Sequence, residues 1–305
     1  MSSLVVKDNA LIEASYTLDT VEQRLILLAI TQARETGKGI TEKDLIEIHA
    51  SSYINHFKVE KHTAYTVMKE ASKSLFDRYV TYHDVNPKTG RDRSFHCRWV
   101  DKIGYEPNSG TVYLRFTQDI VPLITRLEAN FTKYELEQIA QLSSGYAIRL
   151  YELLIQWRSL GGSPVLDLAL FRKQLGVQDH QYKTMSNFKT YVLDFALNQV
   201  NQFTDITAEY EQIKKGRTIE GFKFKFKQKN NKEKPNTIKN VTYVLTDAQR
   251  YMFAEKLSEL PEMSEFSQGT ESYKQFAVRI AEMLKESSKV ERLLPMLEKV
   301  GYKQI

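Results

Sequence analysis

The chain has a single cysteine, Cys97, among its 305 residues. One cysteine excludes an internal disulfide and leaves no Cys-x-x-Cys pair, which is typical of a protein made for a reducing cytoplasm. The sequence also lacks an apolar run long enough to span a bilayer, and its first residues, MSSLVVKDNALIEASY, lack the basic and apolar regions of a signal peptide. We therefore expect a cytoplasmic protein without a membrane partner.

Motifs for enzymatic chemistry are missing as well. No Gly-x-x-x-x-Gly-Lys-Ser/Thr loop is present, so the sequence predicts no ATPase site. His83, His96 and Cys97 lack the spacing of metal ligands, and we interpret them as ordinary strand residues. The sequence thus predicts no catalytic residue, no metal and no cofactor, and the protein is expected not to be an enzyme.

The charge and length leave room for a protein with several domains. Lysine and arginine number 43 against 38 acidic residues, a net charge of +5 that matters only where it is concentrated. A hydrophobic content of 42% is enough for real cores. At roughly 100–200 residues per domain, the length predicts two domains and an extension.

The first half of the chain predicts three helices followed by strands. Asp19 or Thr20 can cap a helix through VEQRLILLAITQAR, Thr41 is expected to cap a short helix over EKDLIEIHA, and TAYTVMKEASKSLFDRYV forms the third helix. The strands RYVTYHDV and RSFHCRWVDKIGY enclose a basic turn at 86–91, and TVYLRFT is a further strand.

The segment FTKYELEQIAQLSSGYAIRLYELLIQWR, residues 131–158, predicts a hinge and then a long helix. Apolar residues cover almost the whole circumference of that helix, which suits a helix at the centre of a domain. Arg149, Glu152, Gln156 and Arg158 are left as the residues expected to face water.

After this helix the same order of elements returns. LDLALFRKQLGV predicts a short amphipathic helix and NFKTYVLDFALNQVNQF a longer one, on which Phe188, Tyr191, Val192 and Phe195 have the spacing of a buried face. The strands DITAEYEQIKKG and TIEGFKFKFKQK then enclose a basic turn at 214–217. Phenylalanine alternates with lysine in the last strand, which predicts an apolar inner face and a cationic outer face.

A helix, a turn, a second helix and a hairpin with a basic tip form a winged helix, in which the second helix enters the major groove of DNA and the wing reaches phosphate. We therefore predict an α+β fold with two tandem winged-helix domains related by an internal repeat, and a C-terminal helical extension. Base edges require short polar and cationic side chains, and phosphates require cations. The predicted DNA-binding residues are Tyr65, Lys69, Lys73, Lys88, Arg91 and Arg93 in the first domain, and Lys183, Ser186, Asn187, Lys189, Thr190, Lys214, Lys215, Arg217, Lys223 and Lys225 in the second.

The basic hairpins have a second interpretation. Lysines at a hairpin can simply protect a sheet edge from pairing with another sheet. Two such hairpins, each after the same helical pattern, favour binding to double-stranded DNA.

The stretches NALIEASYTLDTVEQRLILLAI and FTKYELEQIAQLSSGYAIRLYELLIQW resemble the replication initiator proteins of iteron-containing bacterial plasmids, over about residues 5–228. The resemblance implies tandem winged-helix domains, binding of repeated origin sequences as a monomer, and repression of the protein's own promoter as a homodimer. It also implies contacts with the host initiator and the replicative helicase. Known members have an arginine-rich second recognition helix, whereas YKTMSNFKTYVLDFALNQ has lysines and no arginine.

Two other functions remain open at this point. One is a winged-helix transcription repressor without an origin function. The other is a DNA-nicking initiator, which cuts with a tyrosine beside a metal held by a His-apolar-His triplet; no such triplet occurs in the sequence.

The predicted domains are residues 1–128, a winged helix for dimerisation and DNA contact; 129–229, a winged helix for the main iteron recognition; 230–245, a linker; and 246–305, the helical extension. The extension contains three amphipathic segments, DAQRYMFAEKLSEL, ESYKQFAVRIAEMLKE and KVERLLPMLEKV. They can form a small bundle, pack on the preceding domain or bind a partner.

Overall fold

The computed structural model describes residues 3–36, 41, 43–125, 130–229, 247–260 and 271–285, with 263, 266, 289–290, 293, 296–297 and 299–302. The chain divides into two compact units, Met1–Pro235 and Asn236–Ile305. Within the described residues, no helix combines the length and the apolar character needed to cross a bilayer.

The first unit contains both helices and strands. Its helices are α1 (Asn9–Ile12), α2 (Thr20–Thr36), α3 (Ala50–Phe57), α4 (Lys61–Ser74), α5 (Val121–Thr125), α6 (Glu137–Ala140), α7 (Gly145–Ile155), α8 (Leu168–Gln174), α9 (Met185–Phe188) and α10 (Asp194–Phe203). Its strands are β1 (Leu4–Asp8), β2 (Ser15–Tyr16), β3 (Ile46–His49), β4 (Tyr79–Val85), β5 (Asp92–Arg98), β6 (Val100–Glu106), β7 (Thr111–Phe116), β8 (Phe131–Glu135), β9 (Gly162–Asp167), β10 (Ile206–Lys215) and β11 (Thr218–Gln228). Short 3₁₀ turns lie at Leu75–Asp77 and Arg158–Leu160, and a π-helical segment lies at Lys189–Leu193.

Two antiparallel sheets of the first unit have the same topology. One has the strand order β3-β7-β6 and the other β9-β11-β10. In each domain, a helix leads to the first strand of the sheet, and two helical segments follow that strand. A later hairpin completes the sheet, because the second strand of the hairpin pairs with the first strand of the sheet: β7 with β3, and β11 with β9. The predicted repeat of two winged-helix domains is therefore confirmed. One core of buried side chains runs through both domains.

Two secondary-structure predictions in the first domain were wrong. EKDLIEIHA is not a helix capped by Thr41: Ile46 and Ile48 are buried while Glu47 and His49 are exposed, the period of two that defines a strand. RSFHCRWVDKIGY is not one strand, because the buried ring of Trp99 interrupts it and β5 and β6 belong to different sheets.

The helix α7 is buried on nearly all sides, as predicted for a helix at the centre of a domain, but the prediction that Arg149 and Glu152 face water was wrong. Both side chains are completely buried. The Arg149 guanidinium pairs with the Glu152 carboxylate at 2.8 Å. It also donates to the Tyr16 hydroxyl and to the carbonyl oxygens of Ile12, Ala14 and Gln174, over 2.5–2.9 Å. The guanidinium therefore joins strands and loops of the first domain to α8 of the second.

The Glu152 carboxylate completes this buried network. It accepts from Lys7 Nζ at 2.6 Å and from the Tyr134 hydroxyl at 2.7 Å. Burial alone raises the pKa of Glu152, but Lys7 and Arg149 together hold that pKa below its ordinary value. A buried charge without its partner costs several kcal/mol, on the order of 3–5, so each member depends on the others.

The second unit has a hydrophobic core of its own. Its described helices, α11 (Asp247–Ser258) and α12 (Tyr273–Met283), pack against each other. The core includes Phe253, Ala254, Leu257, Phe276, Ile280, Leu284, Leu293 and Leu297. The stripe predicted on α12 is confirmed, whereas Tyr251, predicted to be buried on α11, is exposed. The linker at 230–245 and much of KVERLLPMLEKV lie outside the described residues; the separate core favours a small helical bundle.

Candidate nucleic-acid interface

The candidate recognition helix of the second domain starts after Thr184. The Thr184 hydroxyl accepts from the backbone N–H of Asn187 at 3.3 Å and caps α9. Phe188 is fully buried, with its ring near those of Phe171 and Phe222. This packing leaves the predicted contact residues Ser186, Asn187 and Thr190 exposed.

The buried face predicted for this helix is wrong at two of its four positions. Phe188 and Val192 are buried, but Tyr191 is 60% exposed and Phe195 is 47% exposed. The cause is the π-helical segment, which adds a residue to one turn and brings Leu193 to the core instead. The outward face of the helix is consequently aromatic as well as polar.

Two lysines, one on this helix and one just before it, were predicted to contact DNA. Lys183 is exposed in the loop before the helix. Lys189 is half-buried, and its ammonium lies 5.8 Å from the centre of the Tyr210 ring on β10. The Tyr210 hydroxyl donates to Asp194 at 2.7 Å, and burial together with that carboxylate raises the pKa of the phenol, so it remains protonated. Lys189 thus lies between the helix and the wing.

The wing of the second domain is the hairpin of β10 and β11. Its tip is cationic as predicted: Lys214, Lys215 and Arg217 are exposed, and Gly216 has the left-handed φ of +61° that the turn requires. Lys215 approaches Glu220 only at 3.8 Å, with both side chains largely in solvent. Such a contact contributes little, about 0–1 kcal/mol, so the cations are available to an anion.

The outer face of this wing differs from the prediction. Lys223 and Lys225 point outward, but the register places Glu211 opposite Lys223 and Glu209 opposite Lys225. Lys225 Nζ also binds the Glu211 carboxylate at 2.5 Å, and this bond raises the pKa of Lys225. The face is therefore charge-paired, which the sequence of one strand alone could not reveal.

The candidate recognition helix of the first domain is α4. Lys69 and Lys73 are exposed on it, as predicted. Tyr65 is half-buried, with its ring directly over Gly110 and its carbonyl accepting from the Tyr105 hydroxyl at 3.3 Å. Tyr65 therefore supports the β6–β7 hairpin and offers less surface to a ligand than predicted. Sequence reasoning missed the exposed Lys61 and His62, because it began this helix two residues late.

The prediction for the wing of the first domain was wrong in position. By topology the wing is the β6–β7 hairpin, whose tip, Glu-Pro-Asn-Ser-Gly at 106–110, has no cation. The basic turn at 86–91 connects β4 and β5 of a different sheet, ordered β2-β4-β5. Lys88 and Arg91 are exposed at that turn. The cations exist as predicted, but on an added hairpin.

Arg93, the third cation predicted on that hairpin, is paired with an acidic side chain. Arg93 forms two bonds of 2.7 Å to the Asp84 carboxylate, and its guanidinium lies 5.0 Å from the centre of the Phe95 ring. Asp84 on β4 thus neutralises Arg93 on β5. Arg93 therefore contributes less to the positive electrostatic potential of the hairpin than Lys88 or Arg91.

His96 and Cys97 of the same hairpin have structural roles. His96 stacks on Tyr79 at 4.8 Å and bonds the Thr81 hydroxyl at 2.9 Å. Burial raises the pKa of the Cys97 thiol to about 11, which keeps it protonated. In the part of the chain that the structure describes, no three metal-ligating side chains come together.

Two winged-helix domains in one unit, with exposed polar helix ends and one cationic wing, define a tandem winged-helix protein. The family model for initiator replication proteins, WH1, matches residues 4–155, and the WH2 model matches residues 167–226. The chain belongs to the initiator replication protein family.

The chain is also similar to individual proteins. It is 28% identical to an uncharacterized 27.6 kDa protein of Escherichia coli over 217 residues, 68% of this chain and 88% of the relative. The structure of the Pi initiator protein in complex with iteron DNA matches with a TM-score of 0.57 at 20% identity, over 75% of this chain and 99% of that one. The WH1 domain of the replication protein MSBI1.176, isolated from a multiple sclerosis patient, is 53% identical, covers 35% of this chain and 81% of its own, and has a TM-score of 0.31. The likeness to Pi supports the tandem fold.

Proposed function

We propose that the protein initiates plasmid replication by binding repeated origin sequences, iterons, as a monomer through both winged-helix domains. The observation that carries the proposal is the second domain, which combines an exposed polar helix end at 186–190 with a cationic wing tip at 214–217. A winged helix places such a helix in the major groove and its wing on phosphate or in the minor groove. Membership of the initiator family and the complex of the Pi protein with iteron DNA support this proposal.

In this proposal the protein works in the bacterial cytoplasm by binding DNA, and it is not an enzyme. Because the sequence has no ATP-binding loop, opening of the origin must draw on binding energy and on host proteins, the initiator and the replicative helicase. The family resemblance is the support for these partners.

Binding-site selection from a random DNA library tests which residues recognise the base sequence and which only bind the DNA backbone. Asn187→Ala and Lys189→Ala should each weaken the selected duplex by about 1–3 kcal/mol and relax preference at particular base pairs. Lys183→Ala should weaken all sequences alike, and Lys69→Ala should act on the other half of the same site. Wild-type preference in both the Asn187 and the Lys189 variants would refute the role of this helix.

Repression of the protein's own promoter is proposed for a homodimer formed through the first domain. Among the described strands, β5 and β6 each leave one edge without a partner, and such an edge can pair across a two-fold axis. Sedimentation should then find a dimer fraction in free protein and a monomer on one repeat. A monomer at every working concentration would refute the proposed change from dimer to monomer.

The two alternatives predict different DNA behaviour. Short direct repeats beside an AT-rich segment near the gene support an initiator, whereas a single palindrome supports a transcription repressor. Cleavage of origin DNA with a divalent metal would point to a nicking enzyme.

A further inference from the structure

The recognition helix of the second domain presents two large aromatic side chains to solvent, Tyr191 and Phe195. Asn187, Tyr191 and Phe195 follow at intervals of four residues, and all three are exposed, so they form one outward stripe. An uninterrupted α-helix anchored by Phe188 would turn Tyr191 toward the core. The π-helical segment prevents this, and π-bulges inside helices frequently mark functional sites.

The ring of Tyr191 is held in place by other rings. It lies 6.3 Å from the ring of Tyr182, which in turn meets Tyr146 edge-to-face at 6.3 Å. Tyr182 is itself fixed: its φ is +44°, and its carbonyl accepts from Arg172 at 3.2 Å. Tyr191 therefore loses little conformational freedom when it binds a ligand, which is the property of a recognition residue.

The charges around the stripe indicate what it contacts. Between Tyr182 and Phe203 the sequence has one acidic residue, Asp194, and its carboxylate is engaged by the Tyr210 hydroxyl. Lys183 precedes the stripe, and the cationic wing tip belongs to the same domain. Apolar rings bordered by cations match a duplex, in which phosphates flank base edges that carry the thymine methyl group.

We infer that Tyr191 and Phe195 read thymine 5-methyl groups in the major groove and thereby set part of the sequence preference of the second domain. This inference rests on the proposed function and extends it, since it assigns specificity to two residues whose sequence spacing predicts burial. Asn187, at the start of the stripe, contacts the neighbouring base edge.

The test compares thymine with uracil, which lacks only the methyl group. The probe is a duplex that the wild-type protein selects from a random library, with each thymine replaced in turn by uracil. Wild-type protein should lose about 5- to 10-fold in affinity at one or two positions. Tyr191→Ala and Phe195→Ala should bind the thymine duplex about 10-fold more weakly and be insensitive to uracil at their own position.

Two matched variants control the experiment. Tyr191→Phe keeps the ring and should keep the uracil sensitivity. Tyr251→Ala removes another exposed tyrosine, 51% against 60% for Tyr191, from the second unit and should bind like wild type. Circular dichroism and thermal melting establish that each variant is folded. If wild type selects no sequence, the proposed function fails and this inference with it. If wild type selects a site but the Tyr191 and Phe195 variants keep its affinity and uracil sensitivity, the inference alone is overturned.

Discussion

The two wings of the protein share a topology and differ in chemistry. Both tips contain a glycine with nearly the same left-handed φ, +62° at Gly110 and +61° at Gly216. The first tip is closed on itself, because Glu106 accepts from Ser109 and Tyr113 and Gly110 lies under Tyr65. The second tip is open and cationic. Equal backbone geometry therefore does not imply an equal role, and charge decides which wing can meet phosphate.

The buried network at α7 joins the two domains, and its removal should have the largest effect. Glu152→Gln leaves the buried charges of Lys7 and Arg149 without a carboxylate, so the free energy of unfolding should fall by about 3–5 kcal/mol. Urea denaturation measures this, with the exposed Glu137→Gln as control, expected within about 0.5 kcal/mol of wild type. A small loss in the Glu152 variant would show that the network does not stabilise the joint.

The pH dependence of that loss has a definite sign. The folded pKa of Glu152 is below its ordinary value of 4.5, so its stabilisation is complete above about pH 4.5 and is lost as the pH falls through the folded pKa. The difference in unfolding free energy between wild type and Glu152→Gln should therefore be constant near neutrality and shrink in acid. A difference that grows in acid would contradict the assigned charge state.

The difference in charge between the hairpins can be measured through the salt dependence of DNA affinity. Replacing Lys214, Lys215 and Arg217 by alanine should weaken DNA binding about 10- to 100-fold and lower the salt slope by about 0.9 per lost phosphate contact. Sequence preference should stay nearly intact. The matched pair Lys88→Ala and Arg91→Ala shows whether the added hairpin of the first domain also contacts phosphate. An unchanged slope in the triple variant would mean that this wing does not touch DNA.

The two tip glycines give a smaller and sharper comparison. Gly216→Ala forces a left-handed φ on alanine in open space and should cost about 1–2 kcal/mol. Gly110→Ala has the same strain, and its methyl group would also overlap the Tyr65 ring, so a total of about 2–4 kcal/mol is expected. Thermal unfolding of both variants checks which of them loses more stability. Equal losses would mean that the Tyr65 ring moves aside at little cost.

The smallest effect is expected at Arg93. Because Asp84 already neutralises it, Arg93→Ala should change the salt slope by less than Lys88→Ala, for which about 0.9 is expected if Lys88 meets phosphate. A larger change for Arg93 would show that it leaves Asp84 when DNA binds.

The sequence predicted the features that depend on neighbours in the chain. The alternation of Phe222, Phe224 and Phe226 with lysines is enough to define β11 and its inner face. The repeated order of elements predicted two winged-helix domains, although in the first domain it took β3 for a helix and the β4–β5 hairpin for the wing. β3 was missed because four residues of alternating pattern cannot compete with a plausible helix cap at Thr41.

Other features depend on partners distant in sequence. The partners of Glu152 include Lys7, 145 residues away, so no local pattern marks that carboxylate as buried. Likewise, the pattern from Phe188 to Phe195 is what a regular helix would show, and the sequence does not mark the added residue of the π-helical turn. Glu209 and Glu211 become relevant to Lys223 and Lys225 only through the register of two strands.

The way Arg149 of α7 bonds α8 bears on how such initiators can recombine. That bond goes to the backbone carbonyl of Gln174, a group that any residue supplies at that position. A crossover in the interval 156–161, after α7 and before β9, would therefore leave the charged network whole in one parent, whatever second domain arrives. The incoming chain would have to keep glycine at position 176, because Gly176 has a φ of +84° and a side chain there would collide with the Tyr16 carbonyl. Two lineages could then exchange the segment after α7, provided that its α10 still packs on α7 and its Gln199 still bonds Ser143.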